Sequence, residues 1–279
     1  SRPATIPREL QPDSDGHPGM TSEKRKNSEM GQRSYTEVSQ RIEALSGKQI
    51  HVEMAGSIGQ HPVYHVLFRG NVDAPHKILL TAGVHGNEPS GVEAVLRFLE
   101  KDNEELLNHF EFSIIPCVNP EGYVRDIREN GQGIDLNRAF EEENVAEVQI
   151  VKNLLRGYQA DCFIDLHEDW EATGFYLYEG HRDGQSIGPR IIRQVETIGT
   201  IDPDGDGDND DNELLSRGVY AVATSWGTVG LAPYVLKFHA SRAIISEAPS
   251  DWPMETSVAA HLSTLETVLA CYREVHESG

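Results

Sequence analysis

The chain has 279 residues, of which 38% are hydrophobic, so it is long enough to bury a substantial core. It carries 24 Lys and Arg against 45 Asp and Glu, a formal net charge of −21 with His neutral. A surface this acidic repels nucleic acid and anionic membranes, and no apolar run is long enough to span a bilayer. We therefore expect neither nucleic acid nor membrane as a partner. Composition leaves the oligomeric state open.

Residues 1–33 are polar and rich in Pro, Ser and Gly, which predicts a flexible tail before one folded domain over 34–279. Apolar spacing from Tyr35 predicts a helix. The apolar runs 77–82 and 161–166 are typical of central strands buried on both faces. Further strands are predicted over 49–55, 62–69, 112–118, 175–178 and 243–246, and helices over 91–99, 145–155, 187–198 and 257–275.

Strands that alternate with helices predict an α/β domain with helices on both faces of the sheet. Ligands in such domains bind beyond the carboxyl ends of the strands. The three cysteines, Cys117, Cys162 and Cys271, are an odd number at scattered positions, which favours free thiols over a disulfide framework and the cytoplasm over an oxidising compartment.

Polar side chains follow both predicted central strands. His85 and Glu88 lie in a glycine-containing turn directly after 77–82, and His167 directly follows 161–166. Two histidines and one carboxylate are the ligand set of a catalytic zinc, which keeps a fourth position for water. His85 taken alone favours a turn histidine bonded to a backbone carbonyl, and the zinc interpretation depends on His167 and the surrounding motifs. Asp165, two residues before His167, is a candidate for orienting that imidazole or for capping a turn.

Four motifs resemble the metallocarboxypeptidase superfamily and occur in its order. They are Gly83–Glu88, Asn119-Pro-Glu-Gly-Tyr123, Gly133-Ile-Asp-Leu-Asn-Arg138 and Ile164-Asp-Leu-His167. The overlapping segments His85-Gly-Asn-Glu-Pro89 and Asp135-Leu-Asn-Arg-Ala-Phe140 are especially similar to the succinylglutamate desuccinylase and aspartoacylase branch. The resemblance implies one zinc per chain, held by His85, Glu88 and His167. It also implies a single α/β domain with a mixed, mostly parallel sheet like that of carboxypeptidases, so that 34–279 would be a zinc hydrolase domain.

The same resemblance assigns roles to polar residues between the zinc motifs. Guanidinium offers paired N–H donors that match a carboxylate. In the family the pair at Asn137 and Arg138 holds the terminal carboxylate of the substrate. Arg128 matches the arginine that polarises the scissile carbonyl and would stabilise the developing oxyanion. Arg125 is the competing candidate, and a solvated loop charge is the plain alternative for Arg128.

A general base is also needed, because a proton must leave the attacking water and reach the leaving amine. The family places a glutamate at the end of a late strand, where this chain has Glu247. Glu168 and Asp169 compete because they adjoin a predicted ligand. The family also has a mobile tyrosine near the scissile amide, for which we assign Tyr220, with Tyr234 as the second choice.

An acidic segment over 202–213 has the spacing of a calcium-binding EF-hand loop. Its candidate ligands are Asp202, Asp204, Asp206, Asp208, Asp210 and Glu213. Against calcium, Asn209 stands where a hydrophobic residue is usual and no clear helix pair flanks the loop. The alternative is an acidic surface loop without an ion.

These observations favour a zinc-dependent metallocarboxypeptidase that hydrolyses a C-terminal peptide or amide bond. The first alternative is an N-acyl amino acid deacylase that uses the same residues on a small amide. A calcium-responsive binding protein on an inactive hydrolase scaffold is a third reading from a different class. The expected partner of the two enzymes is a small peptide or an N-acyl amino acid with a free carboxylate.

Overall fold

The computed structural model describes residues 33–45, 49–70, 74–101, 103–182, 184–203 and 213–277. The strands are β1 Ile50–Ile58, β2 His61–Phe68, β3 His76–Ala82, β4 Phe110–Ile115, β5 Ala160–Asp169, β6 Tyr176–His181, β7 Leu214–Ser216, β8 Val219–Ala221 and β9 Ala240–Pro249. The helices are α1 Tyr35–Glu43, α2 Pro89–Glu100, α3 Pro120–Arg125, α4 Ala146–Leu154, α5 Gly188–Val195, α6 Leu231–Phe238 and α7 Met254–Glu277. Short 3₁₀ helices span Glu104–Asn108, Leu136–Arg138 and Thr224–Trp226.

The strands form one nine-stranded sheet in the order β1-β2-β4-β3-β5-β9-β6-β8-β7. Its central strands β4, β3, β5 and β9 are parallel to one another, whereas β2 pairs with β1 and β4, and β6 pairs with β9, in antiparallel fashion. The sequence-based prediction of a mixed α/β sheet is therefore confirmed. The carboxyl ends of β3, β5 and β9 meet at one edge of this sheet.

The core has two clusters, one on each face of the sheet. Helices α1, α2, α5 and α7 pack on one face, against alternate strand residues such as Ile164 and Ile244. Helices α4 and α6 pack on the other, against the intervening residues such as Phe163 and Ile245. This alternation confirms that β5 is buried on both faces, as its apolar run predicts, and it shows that β9 is buried in the same way.

One strand is longer than predicted, and helices α3 and α6 were not predicted from the sequence. The last central strand, predicted over 243–246, runs through ten residues. Helix α3 is too short for a periodic pattern, and it is held by Asn119, whose side chain accepts a hydrogen bond from the Gly122 N–H. Helix α6 contains Pro233, which resembles a helix breaker in the sequence but lies in the first turn, where proline is tolerated.

The predictions for the N-terminal tail, the acidic segment, the cysteines and membrane-spanning helices have different outcomes. The predicted tail, except for Arg33, and most of the 202–213 segment lie outside the described residues. The cysteines are free thiols, as predicted, and burial raises the pKa of both Cys117 and Cys162 to about 12. In the part of the chain that the structure describes, no helix combines the length and apolar character needed to cross a membrane.

A buried ion pair joins β6 to β9 at the opposite end of β9 from the zinc motifs. Glu179 accepts hydrogen bonds from Arg242 and from the Ile187 and Gly188 N–H groups at the start of α5, the latter two at 2.9 and 3.0 Å. Glu179 is 1% exposed and Arg242 is 7% exposed. The Glu179 carboxylate thus neutralises the buried Arg242 guanidinium, and it also accepts hydrogen bonds from backbone N–H groups at the N-terminus of α5 that have no partner within the helix.

We expect Glu179→Gln to lower the free energy of unfolding by about 3–5 kcal/mol, because it leaves the Arg242 charge buried without its counterion. Urea denaturation followed by circular dichroism measures this change. The matched control is Glu274→Gln, which breaks an ion pair with Arg190 on the surface. A loss no larger than that of the control would show that Arg242 does not depend on Glu179.

Candidate metal centre

The loops that follow β3 and β5 carry the candidate ligands to one point. His85 and Glu88 lie between the end of β3 and the start of α2, and His167 lies near the end of β5. Because β3 and β5 are adjacent and parallel, their carboxyl ends meet at the same edge. The turn after β3 begins at Gly83, whose φ of 62° favours glycine and whose added Cβ would lie 2.9 Å from Val92.

Glu88 lies between the two imidazoles. Its Oε1 is 2.7 Å from Nδ1 of His85, and its Oε2 is 2.9 Å from Nδ1 of His167. All three residues are buried, and one candidate ligand atom from each lies within 4.8 Å of the others. These three residues form the only metal-ligand group of this kind found among the described residues.

The outward-facing nitrogens of both histidines are held by carboxylates. Nε2 of His85 is 3.1 Å from Oδ1 of Asp135, and Nε2 of His167 is 2.9 Å from Oδ2 of Asp165. Thr81 donates in turn to the other oxygen of Asp165 at 2.6 Å. Donation of each Nε2–H outward directs the Nδ1 lone pairs inward, which is the arrangement that a metal ligand requires. The donor set therefore fits a zinc ion.

The electrostatics of the centre are those of a site built for positive charge. Burial alone would raise the pKa of Glu88, but the charges of His85 and His167 hold that pKa well below its usual range. Burial alone would lower the pKa of His167, but Asp165 and Glu88 raise it well above the ordinary value. Burial would likewise raise the pKa of Asp135, but His85 and Arg128 hold it far below. A metal cation bound among these carboxylates would therefore take the place of the protons that His85 and His167 hold without it.

A close backbone approach fixes the loop that carries His85. An added Cβ on Gly86 would lie 1.9 Å from the carbonyl carbon of Gly122, so neither this loop nor α3 could keep its position with a larger residue. Asn119 is fully buried, and its side-chain amide donates to the backbone carbonyls of Val84 and Glu129 at 3.3 and 3.1 Å. The motif that begins at Asn119 therefore supports the metal loop structurally.

Arg33, at the end of the predicted tail, lies against the same loop. Its guanidinium donates to the Gly86 carbonyl at 2.9 Å and to Asp126 at 2.6 Å, and it stacks over the Tyr123 ring. Its backbone N–H also donates to the Val124 carbonyl at 3.2 Å. Nothing in the composition of residues 1–33 indicated this contact.

The structure brings Arg128 to the centre. Its Nε donates to Asp135 at 3.1 Å, and one terminal nitrogen is 3.6 Å from Oε1 of Glu88. The competing candidate, Arg125, is exposed on α3, where it pairs with Glu121. Of the two arginines, the contacts therefore place Arg128 beside the ligands.

The predicted carboxylate-binding pair lies in the 3₁₀ helix after Asp135. The amide oxygen of Asn137 accepts from the Leu231 N–H at the start of α6, at 2.9 Å. That oxygen thus has a structural partner, which orients the amide NH₂. Arg138 lines a cavity of about 500 Å³. The cavity is also lined by Gln132, Ile134, Asp135, Ala139, Glu142, Asn144 and Val145.

Glu247 lies on β9 directly beside His167 on β5, since their Cα atoms are partners in the parallel register. It is fully buried, and Tyr176 of β6 is its partner on the other side. The rival Glu168 faces the other side of the sheet, where it accepts from the Ser90 N–H at 2.7 Å. The rival Asp169 accepts from the Tyr176 hydroxyl at 2.9 Å.

Tyr220 lies on β8 in an aromatic cluster with Tyr176 and Tyr178, and it is 2% exposed. Its hydroxyl donates to Asp202 at 3.3 Å. The second choice, Tyr234, lies on α6 against Phe140. The substrate-contacting role of Tyr220 stays a prediction.

The acidic segment is described only at its ends. Asp202 is buried beside Tyr220, and the Glu213 carbonyl accepts from the Ala221 N–H at 2.8 Å. The candidate calcium ligands Asp204, Asp206, Asp208 and Asp210 lie outside the described residues. Calcium binding therefore stays a prediction.

One important residue escaped the sequence reasoning. Asp135 was considered only as part of the motif that contains Asn137 and Arg138, yet it anchors both His85 and Arg128. No local pattern signals this role, because the contact with His85 spans fifty positions of the chain. Its side chain also accepts from the Asn137 N–H at 2.9 Å and so begins the 3₁₀ helix.

Comparisons with known proteins agree with this geometry. Residues 74–196 match the succinylglutamate desuccinylase/aspartoacylase catalytic domain family. Over 73 residues the chain is 37% identical to murein peptide amidase A of Escherichia coli K12, covering 26% of this chain and 29% of that protein. Over 86 residues it is 34% identical to carboxypeptidase E of Caenorhabditis elegans, covering 23% of this chain and 18% of that protein. The aligned part thus spans less than a third of either relative.

Solved structures share the fold over most of the chain. A candidate metallopeptidase from Shewanella amazonensis SB2B has a TM-score of 0.73 at 24% identity, covering 85% of this chain and 92% of that one. A metallo-carboxypeptidase from Burkholderia cenocepacia has a TM-score of 0.68 at 18% identity, covering 88% of this chain and 70% of that one. The resemblance to the metallocarboxypeptidase superfamily, near the succinylglutamate desuccinylase/aspartoacylase branch, is confirmed.

We expect Asp135→Asn to weaken zinc binding by about 10–100-fold, because the carboxylate that fixes the His85 ring loses its charge. Competition with a chromogenic chelator measures the dissociation constant. The control is Asp126→Asn, which changes a half-exposed carboxylate that contacts Arg33 nearby. Equal zinc affinity in Asp135→Asn and wild type would show that Asp135 does not tune the centre.

Proposed function

We propose that this protein is a zinc-dependent metallocarboxypeptidase that hydrolyses a C-terminal peptide or amide bond. The observation that carries the proposal is the convergence of the His85 and His167 Nδ1 atoms on Glu88. Zinc held by these three residues supplies Lewis-acid polarisation of a carbonyl and makes water a nucleophile at neutral pH. Every other part of the chemistry belongs to side chains of the chain itself.

Glu247 is the proposed general base. It accepts the proton of the attacking water and returns it to the leaving amine, so that one carboxylate serves both steps. Its place beside His167 on the adjacent strand supports this role, because the base must lie next to the ligands.

Arg128 is the proposed oxyanion partner. Its guanidinium carries a permanent positive charge, and the bond from its Nε to Asp135 holds the planar group in one orientation beside Glu88. A preorganised charge of this kind stabilises the oxygen that becomes negative when the carbonyl is attacked. Asp135 therefore orients both the proposed zinc ligand His85 and the proposed oxyanion partner Arg128.

Arg138 and Asn137 are the proposed partners of the free carboxylate of the substrate. Arg138 faces a cavity large enough for an amino-acid side chain, and the engaged oxygen of Asn137 leaves its NH₂ group to donate. A requirement for this carboxylate makes the enzyme act at a chain end. The substrates would be small peptides or N-acyl amino acids with a free carboxylate.

An N-acyl amino acid deacylase is the second candidate function. The match of residues 74–196 to the desuccinylase/aspartoacylase catalytic domain favours it specifically. The ligands, base and arginines proposed above serve both reactions, since each cleaves an amide next to a free carboxylate. Turnover of a panel of C-terminal dipeptides against a panel of N-acyl amino acids decides between them.

We expect Glu247→Gln to keep one zinc per chain and to lower kcat by about 10²–10⁴-fold, the range that a lost general base produces. Metal analysis by mass spectrometry, with initial rates on both substrate panels, measures the two quantities. Glu168→Gln serves as the comparison, because Glu168 adjoins His167 but faces the other side of the sheet. If Glu168→Gln loses kcat and Glu247→Gln keeps it, the assignment of the base is reversed.

The role of Arg138 is tested with a blocked substrate. We expect wild type to hydrolyse the free acid at least about 100-fold faster than the C-terminal amide of the same compound, because a bidentate ionic contact is lost with the amide. Arg138→Ala should remove most of this preference. Arg125→Ala, an exposed arginine on α3, should keep it. Equal preference in Arg138→Ala and wild type would rule out this carboxylate contact.

A further inference from the structure

A buried polar network lies on the face of the sheet opposite to the metal centre. Its middle is His261 of α7, which is fully buried. Nδ1 of His261 is 2.9 Å from the Ser246 hydroxyl, and Nε2 is 3.2 Å from the Ser90 hydroxyl. Thr264, one turn later on α7, lies 3.5 Å from the same Ser246 hydroxyl. A polar network buried this deeply requires satisfied partners, and His261 has a partner on each nitrogen.

Both serines lie next to residues of the proposed catalytic machinery. Ser90 is in the first turn of α2, two positions after Glu88. Ser246 directly precedes Glu247 on β9, so strand alternation directs these two side chains to opposite faces. One imidazole therefore contacts the segments that carry a metal ligand and the general base.

A second path joins Ser90 to the ligands. Its N–H donates to Oε1 of Glu168, and the N–H of Glu168 donates to Oε2 of Glu88 at 3.1 Å. Ser90 is thus held by its backbone to β5 and by its hydroxyl to α7. The start of α2 depends on both contacts for its position relative to the sheet.

We propose that His261 is a positioning residue that holds the segments of Glu88 and Glu247 in register behind the metal centre. The inference rests on the proposed function, because it assigns His261 a role in a metal site and in a base that serve one reaction. Burial lowers the pKa of His261 to about 3, so the ring is neutral and offers one donor and one acceptor. A neutral ring can bridge two hydroxyls without placing a charge behind the site.

The two contacts of His261 have separable consequences. The Ser90 contact leads to a metal ligand, so its loss should weaken zinc retention. The Ser246 contact leads to the general base, so its loss should lower kcat at saturating zinc. If His261 only stabilised the fold, substitutions at its two contacts would lower the melting temperature, and neither would affect zinc retention or kcat separately.

The test uses the zinc-loaded full chain. We expect Ser90→Ala to raise the zinc dissociation constant, measured by chelator competition, by about 10-fold with kcat kept at saturating zinc. We expect Ser246→Ala to lower kcat by about 10-fold with zinc affinity and KM kept. The control is Thr267→Val, which removes a hydroxyl on the same helix that donates to the Ser263 carbonyl at 2.7 Å.

Substitutions of His261 itself also test whether its Ser90 contact supports zinc retention and its Ser246 contact supports kcat. His261→Leu should show both losses. His261→Asn places an amide near the position of Nδ1 and should restore kcat, whereas His261→Gln reaches the position of Nε2 and should restore zinc retention. If His261→Leu does not fold, the Asn, Gln and serine variants still decide the outcome.

Wild-type behaviour in both zinc affinity and kcat for Ser90→Ala, Ser246→Ala and the folded His261 variants would overturn the inference. Losses that follow the melting temperature alone would overturn it as well. Failure of the proposed function is seen in wild type instead. A wild type that binds no zinc refutes both proposals, and one that binds zinc without hydrolysis refutes the function while the zinc dissociation constants still test the Ser90 contact.

Discussion

The contact of Glu88 with the two imidazoles joins the loop after β3 to the end of β5, and it does so away from water. Burying ionisable groups costs several kcal/mol each unless each has a partner of opposite charge. Here each imidazole lies between two carboxylates, with Asp135 behind His85 and Asp165 behind His167. The need to satisfy all these groups at once restricts the loops at this edge of the sheet to one arrangement.

That restriction explains residues that carry no chemistry themselves. The loop of His85 can reach the centre only because Gly86 has no side chain where its backbone meets that of Gly122. Asn119 ties both loops together through backbone carbonyls, and Arg33 covers their outer side. Motifs that look catalytic in the sequence are therefore partly structural, and they help to position the candidate metal ligands.

The sequence predicts the strands that carry the site because β3 and β5 are continuous apolar runs, and the ligand motifs follow directly after them. It could not predict the contact of Asp135 with His85, because the two residues lie fifty positions apart in the chain and only folding brings them together. Helix α6 was not predicted, and its first turn contains Pro233, a residue type that would break a helix further along. The surroundings of Tyr220 were also unpredictable, since its aromatic neighbours and Asp202 come from different segments.

Successive side chains along a strand point to opposite faces of the sheet, and this separates the roles of polar residues that are adjacent in sequence. His167 and Glu168 are neighbours in sequence, as are Ser246 and Glu247, and each pair divides between the two faces of the sheet. One face receives the ligand and the proposed base, and the other receives the residues that meet α2 and α7. Polar residues beside catalytic ones therefore need not compete for the same role. In this fold they connect the site to the helices behind it, and a substitution there tests how far the chemistry depends on that support.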